Sequence, residues 1–229
     1  MTLIDTAALR QVGGPMGSNP AAVFEDAQGR RFYVKSLESP LYARNERIAA
    51  RLYQLAGAPT LNYVETTRPH QVATELVRLE KKNVAQLSPE EIRQAQHWLG
   101  VHAWTANWDA AGFLGENQGV AAGRVLTLDV GGALEYRAMG NQKGRAFGTQ
   151  VGELDRLRSD PNNPFAVRLF GPMDEARVRQ AIQVVTAIPD AHIRQAILDL
   201  GGSEALAAKM IARKAHMASR LLAECVSLA

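Results

Sequence analysis

The stretch Asn107–Gly132, NWDAAGFLGENQGVAAGRVLTLDVGG, constrains this chain more than any other. It sets one acid, Asp109, at the end of a predicted helix. A polar loop holding Asn117 follows, and then a short apolar run, Val125–Leu128, that delivers Asp129. A hard divalent cation such as Mg²⁺ takes a few carboxylate or carbonyl oxygens and completes its shell with water and substrate phosphates. Asn117 and Asp129 brought together by a hairpin form a suitable ligand pair, and Asp109 then faces the group being transferred. Asp129-Val-Gly-Gly also reads as an ordinary turn after a strand, so the choice depends on what lies upstream.

Upstream, Gln11–Pro20 is a glycine-rich turn containing Gly13, Gly14, Gly17, Ser18 and Asn19. Ala21–Asp26 and Arg31–Lys35 read as strands about the Asp26–Gly29 turn, and the second ends on Lys35. Glycines let backbone N–H groups approach phosphate oxygens, Ser18 adds a hydroxyl, and Lys35 supplies a point charge for the same phosphates. No Gly-Lys-Ser/Thr follows the glycines, and a hairpin rather than a helix comes next. The loop is therefore neither a Walker A loop nor a dinucleotide fingerprint. By itself it also reads as a plain hairpin.

A helix is predicted from Ser39 as N-cap and Pro40 at its first position, through Leu41, Ile48, Leu52 and Leu55, to a stop at Gly57 and Pro59. Its Glu46 is the carboxylate available to fix Lys35, or else a surface partner of Arg47 or Arg51. Leu61–Glu65 and Gln71–Val77 read as two further strands. A polar connector, Arg78–Asn83, follows, and a purine ring can bond the backbone where the strand runs into it, at Glu75 and Val77. One helix is predicted from Ser88-Pro89-Glu90-Glu91 through Ile92, Ala95, Leu99 and His102 to the Asn107–Asp109 turn. His97 and His102 are five apart, poor spacing for one metal, and read as packing or surface residues.

Composition bounds the class. The 229 residues are 46% hydrophobic, enough to bury a core, and the net charge of +3 carries no dense basic tract of the kind nucleic-acid binders show. Nucleic acid is unsupported. The single cysteine, Cys225, excludes an internal disulfide framework. With no signal-peptide pattern and no apolar run near eighteen residues, the expectation is a chain without a membrane span. It would act in a reducing cytosol, its own or that of a host or target cell.

In this order the parts resemble a protein-kinase-like fold: glycine loop, strand lysine, helix glutamate, connector, helix, Asp…Asn loop, strand, Asp-Val-Gly. Asn107-Trp108-Asp109 stands for His-Arg-Asp, Asp109 to Asn117 exceeds the usual five-residue separation, Asp129-Val-Gly stands for Asp-Phe-Gly, and no Ala-Pro-Glu follows. The pattern is similar to the compact atypical kinases, among them phosphatidylinositol 4-kinase type II, HipA-like and bacterial effector kinases. The resemblance covers roughly residues 11–132. It implies an α+β, two-lobed architecture, with an N-terminal antiparallel sheet and one helix in residues 1–77 and a mainly helical lobe in residues 78–229. It also implies ATP and Mg²⁺ as cofactors, with Lys35 on phosphates, Glu46 orienting it, Asp109 at the acceptor hydroxyl, and Asn117 and Asp129 on magnesium. The activity implied is phosphoryl transfer, with a protein acceptor and an effector or toxin-like role. The alternatives are transfer of AMP, a lipid or small-molecule acceptor, or an inactive kinase-shaped binding module.

Beyond Gly132 the sequence says less. Glu135–Gly148 is a basic, glycine-broken loop in which Arg137, Lys143 and Arg145 can hold an anionic acceptor or a phosphate; it reads equally as a solvated loop. Ser159–Pro164 is a loop by composition. Asp174–Ile188, Asp190–Leu200 and Ser203–Ser227 read as amphipathic helices, the last with a basic face of Lys209, Arg213, Lys214, His216 and Arg220.

Overall fold

A computed structural model describes residues 3–16, 20–138 and 140–227. Gly17, Ser18 and Asn19 of the glycine-rich stretch lie outside the described residues. Six strands, β1 (Leu3–Ile4), β2 (Arg10–Gly13), β3 (Ala21–Glu25), β4 (Arg31–Ser36), β5 (Tyr63–Thr66) and β6 (Gln71–Glu75), form one sheet in the order β1-β5-β6-β4-β3-β2. Every pairing is antiparallel except that of β1 with β5. The turn between β3 and β4 forms because the Asp26 carboxylate accepts the N–H groups of Gln28 and Arg30, both at 2.9 Å, and Gly29 takes φ 77°. Alternation along β4 buries Phe32 and Val34 with Ile4, Val64 and Ala73 in a small core under the sheet.

The glycine-rich stretch begins later than the sequence pattern suggests. Gln11–Gly13 belongs to β2, which pairs with β3 through a bulge between Gln11 and Gly13. As an edge strand it presents Arg10, Gln11 and Val12 to solvent, so it lacks the apolar alternation that marks a strand.

Helix α1 (Pro40–Leu55) begins as expected, the Ser39 hydroxyl accepting the Leu41 N–H at 3.1 Å with Pro40 in the first turn. Leu41, expected on its apolar face, is 47% exposed; the buried face is Ala43, Ile48, Ala49, Leu52 and Tyr53. From Ile48 on, that face belongs to the larger core of the helical half. Sheet and helices therefore meet on α1, which fixes the residues it carries relative to both.

The predicted helix after Ser88 is two helices, α2 (Pro89–His97) and α3 (Leu99–Trp104), because Trp98 leaves helical geometry at φ −95°, ψ 4°. No proline marks the break. The α2 start is a full capping box between Ser88 and Glu91. A separate hairpin, β7 (Gln118–Ala121) and β8 (Arg124–Thr127), follows. Then come α4 (Glu153–Ser159), α5 (Pro164–Phe170), α6 (Glu175–Thr186), α7 (Asp190–Leu198) and α8 (Glu204–Ser227). Helices α4 and α5 flank the loop read from Asp160-Pro161-Asn162-Asn163-Pro164.

Helix α3 is buried throughout, and at Gly100 it touches the α6 backbone. A Cβ there would lie 2.0 Å from the Ala181 carbonyl oxygen and 2.6 Å from its carbon. Two helices cannot yield cheaply at a backbone contact. Gly100→Ala is expected to cost about 3 kcal/mol or more, read as a lowered urea midpoint; a loss under about 1 kcal/mol would contradict this packing.

Candidate functional site

Register on the sheet places Lys35 at the end of β4, opposite Val72 and Ala21. Its ammonium meets Glu46 Oε1 at 2.7 Å and Asp129 Oδ2 at 3.2 Å. Tyr63 donates its hydroxyl to the same Glu46 oxygen at 3.1 Å. Burial works against the Lys35 charge, but the carboxylates of Asp129 and Glu46 outweigh it and hold the lysine above its ordinary range. The helical Glu46 is thus the lysine partner and not a surface partner of Arg47 or Arg51.

The hairpin brings Asn117 and Asp129 together as the sequence suggests. Gln118 pairs with Thr127, and the Leu128 N–H donates to the Asn117 carbonyl at 2.9 Å, so the two residues flank the open end of β7–β8. The turn at Ala122-Gly123 takes φ 49° and 70°, a geometry that suits a two-residue hairpin. The Asp109–Asn117 loop is long, yet its ends still meet: the Asn117 amide nitrogen donates to Asp109 O at 2.8 Å and to Asp109 Oδ2 at 3.0 Å. The extra residues fold back on themselves, with Gly112 and Gly115 at φ 83° and 86°. A Cβ on Gly112 would lie 2.8 Å from the Asn117 backbone nitrogen, and φ 83° strains any side chain, so glycine suits this turn. Burial, and then the carboxylates of Asp129 and Glu116, raise Asp109 to about 6 against the hydrogen bond from Asn117.

Three further groups hold these elements in register, a role the sequence reading gave to none of them. Asn45, one residue before Glu46, donates to Ala133 O at 2.9 Å and accepts the Glu135 N–H at 3.2 Å, which ties α1 to the chain after Asp129. Lys143 gives its three protons to the carbonyls of Ala106, Gly132 and Leu134 at 2.7, 2.7 and 2.9 Å. Burial pushes this lysine down to about 7, while three carbonyls for three ammonium protons favour the charged form. Lys143 is therefore a clamp between the Asp109 and Asp129 segments, correcting its expected role as an acceptor-binding cation.

The third is a buried chain behind Asp109. Asn107 accepts the Asp109 N–H at 3.2 Å and donates to Tyr53 Oη at 3.0 Å, and Tyr53 meets His102 Nδ1 at 2.8 Å. Burial lowers His102 to about 3. Its unfolded value is near 6.5, so the folded value is depressed. The stability tied to the neutral ring is fully present above 6.5 and is lost as pH falls toward 3. His102→Gln is expected to flatten the dependence of the urea midpoint on pH between 6.5 and 4.5, by up to about 3 kcal/mol at the lower end. Parallel curves for the two chains would contradict it.

Lys35, Asp109, Asn117 and Asp129 line one cleft of about 1730 Å³. Glu75, Val77 and Lys82 line its far end, where the connector pairs with β7 through Lys81 and Val120. Among the described residues, Val77 makes no backbone hydrogen bond, which leaves its N–H and C=O free. Gly13 and Gly14 do not line the cleft, whereas Met16 of the same loop does. Glu46 sits behind Lys35, 2% exposed. Trp108, Arg137 and Asn141 line the opposite end.

Comparison with known proteins gives a fold without a family. No protein-family model and no curated protein matches the sequence. Among solved structures the chain is similar to the Helicobacter pylori proinflammatory kinase CtkA, at 12% identity and a TM-score of 0.57 over 93% of this chain and 91% of that one. An aminoglycoside phosphotransferase from Alicyclobacillus acidocaldarius matches at 14% identity and a TM-score of 0.42, covering 95% and 93% of the two chains. The macrolide 2'-phosphotransferase MphH from Brachybacterium faecium matches at 11% and 0.37, covering 89% and 92%. At 12% identity the likeness to CtkA shows architecture alone, and the two lower scores add nothing to it. The chain has a protein-kinase-like fold. No helix among the described residues is long and apolar enough to cross a membrane.

Proposed function

We propose that this chain is an ATP- and Mg²⁺-dependent phosphotransferase that acts on a protein hydroxyl. The observation that carries the proposal is the Lys35 ammonium bonded to Glu46 at 2.7 Å and Asp129 at 3.2 Å, on the wall of the cleft that Asp109 and Asn117 also line. Residues 1–77 serve as the nucleotide-binding lobe and residues 78–229 as the lobe carrying the catalytic and metal-binding loops. The free backbone of Val77 and the adjoining Glu75 suit a purine edge. Gly13 ends β2, and Gly14 after it leads into the loop that would cover the phosphates.

The donor set fits magnesium. Asn117 spends its amide nitrogen on Asp109 and keeps Oδ1 for a cation, while Asp129 is anchored by the Gly131 N–H at 2.7 Å and presents an anionic oxygen 40% exposed at the level of its side chain. Two oxygens from the chain leave the remaining positions to water and phosphate, as a cation with octahedral demands requires. Bound there, Mg²⁺ supplies charge neutralisation for the phosphate oxygens. Lys35 adds a second positive charge, and Glu46 and Tyr63 hold that charge in place. The acceptor oxygen forms its bond to the terminal phosphorus as the bond to the departing diphosphate breaks. The hydroxyl proton passes to Asp109, which is raised toward neutrality by burial and still ionised at pH 7.

A protein acceptor, and an effector or toxin-like role in the cytosol of its own or a target cell, follow from the resemblance to compact effector kinases and stand as analogy; the similar structure CtkA is described as a proinflammatory kinase. ATP labelled at the γ- or the α-phosphate tests the reaction. Label from the γ-position on an acceptor protein is the expected result. Label from the α-position would show AMP transfer, and no transfer with nucleotide bound would mark a binding module.

A further inference from the structure

Beside Asp109, three cations gather around one aromatic ring. Trp108, the residue before Asp109, is fixed by its indole N–H, which donates to Glu153 at 3.1 Å. Three cations surround its ring: Arg137 and Arg156 at 5.0 Å and Lys143 at 4.9 Å from the ring centroid. Lys143 is committed to three carbonyls, and Glu153 is committed to Arg213 at 2.9 Å. The other two are not spent. Arg137 is exposed, lines the cleft and has no carboxylate partner among the described residues. Arg156 is 56% exposed and has one loose contact, Asp160 at 3.7 Å. Asp160 in turn already accepts the Asn162 N–H.

Two guanidiniums each 5.0 Å from one ring centroid, on the residue before the acid that would accept the hydroxyl proton, place two positive charges where an anionic group of the acceptor could sit. Stacking on the indole orders both side chains before a ligand arrives, which reduces the entropy lost on binding. Arg145, also expected here from sequence, is exposed and does not line the cleft. Arg156 lies just outside it, in a small recess that shares Trp108, Asp160 and Asn163 with the cleft.

We infer that Arg137 and Arg156 on Trp108 form an anion subsite of the acceptor, so that the hydroxyl chosen for phosphorylation is flanked on its protein by a carboxylate or a phosphate. The inference rests on the proposed protein acceptor and on the direction of the cleft. Its chemistry has two sources, an acidic side chain or a residue phosphorylated beforehand.

Binding of serine-centred peptide pools to the full chain, read by fluorescence anisotropy with ADP and Mg²⁺ present, tests it without needing turnover. Four pools carry alanine, aspartate, lysine or phosphoserine at the flanking positions. The aspartate or the phosphoserine pool is expected to bind about tenfold tighter than the alanine pool, and whichever binds tighter identifies the source. Arg137→Ala and Arg156→Ala should each remove most of that preference, and Arg137→Lys should keep part of it. Each variant's unchanged unfolding midpoint shows that it is folded. Equal binding of all four pools, or a preference that survives both alanine variants, overturns the inference. Failure of ATP to transfer label would refute the phosphotransferase reading and leave the peptide preference standing, so the two are judged apart.

Discussion

On the proposed function, Asp129→Ala is expected to fold and to transfer phosphate about a thousandfold more slowly, a barrier higher by roughly 4 kcal/mol. The fold survives because Asp129 sits on the cleft wall with its side chain 40% exposed, and because Lys35 keeps Glu46 at 2.7 Å when Asp129 is gone. Turnover is expected to fall, since among the described residues Asp129 is the one carboxylate that both bonds Lys35 and adjoins the hairpin end where Asn117 lies. Initial rates with γ-labelled ATP, beside a urea melt of the same preparation, measure both halves. Full activity would remove Asp129 from the site, and an unfolded variant would show that it is structural instead.

The largest effect on stability is expected at Arg213. This α8 residue is fully buried. It donates to the carbonyls of Trp104 at 2.7 Å, Gly148 at 2.6 Å and Ala103 at 2.8 Å, and it pairs with Glu153 at 2.9 Å. Arg213→Met keeps much of the volume but leaves a buried carboxylate without its cation and takes a donor away from the carbonyls of Ala103, Trp104, Gly148 and Gln150. A broken buried pair costs about 3–5 kcal/mol, a large share of the 5–15 kcal/mol typical of a domain. Adding Glu153→Gln should recover part of the loss, because the uncompensated charge is then removed. Urea unfolding checks both chains; a loss below about 1 kcal/mol in the single variant would contradict the burial argument.

Arg213 also shows where reading the sequence stops. On α8 it stands among Lys209, Lys214 and Arg220, and periodicity assigns such a cation to solvent. Its carbonyl partners come from segments more than sixty positions away, and nothing local announces them. For the same reason Lys143 was assigned to an acceptor and Asn45 was missed: one looks like part of a basic loop and the other like the polar face of a helix. The strand β2 was hidden by being an exposed edge, and the short helices α4 and α5 by the Asp-Pro-Asn-Asn-Pro loop between them. What could be read had local causes. The Ser39-Pro40 start, the Asp26–Gly29 turn and the hairpin carrying Asn117 and Asp129 are each fixed by residues within a few positions of one another. The site itself was legible mainly through the order of its parts, because Lys35, Glu46, Asp109, Asn117 and Asp129 span most of the chain's first 130 positions.

The most direct test of the central claim is the thermal unfolding midpoint with ATP, with and without Mg²⁺, for the natural chain, Lys35→Ala and Asp129→Ala. Ligand at a hundred times its dissociation constant stabilises by about 2.7 kcal/mol. For a chain of this length that corresponds to a rise of about 5–10 °C. The account predicts such a rise only when Mg²⁺ is present, and its loss in both variants. Lys35→Ala leaves Glu46 buried and unpaired and starts from a lower midpoint, so the shift, not the midpoint, is compared. No shift at millimolar nucleotide, or the same shift in all three chains, would contradict a nucleotide site built on Lys35 and Asp129.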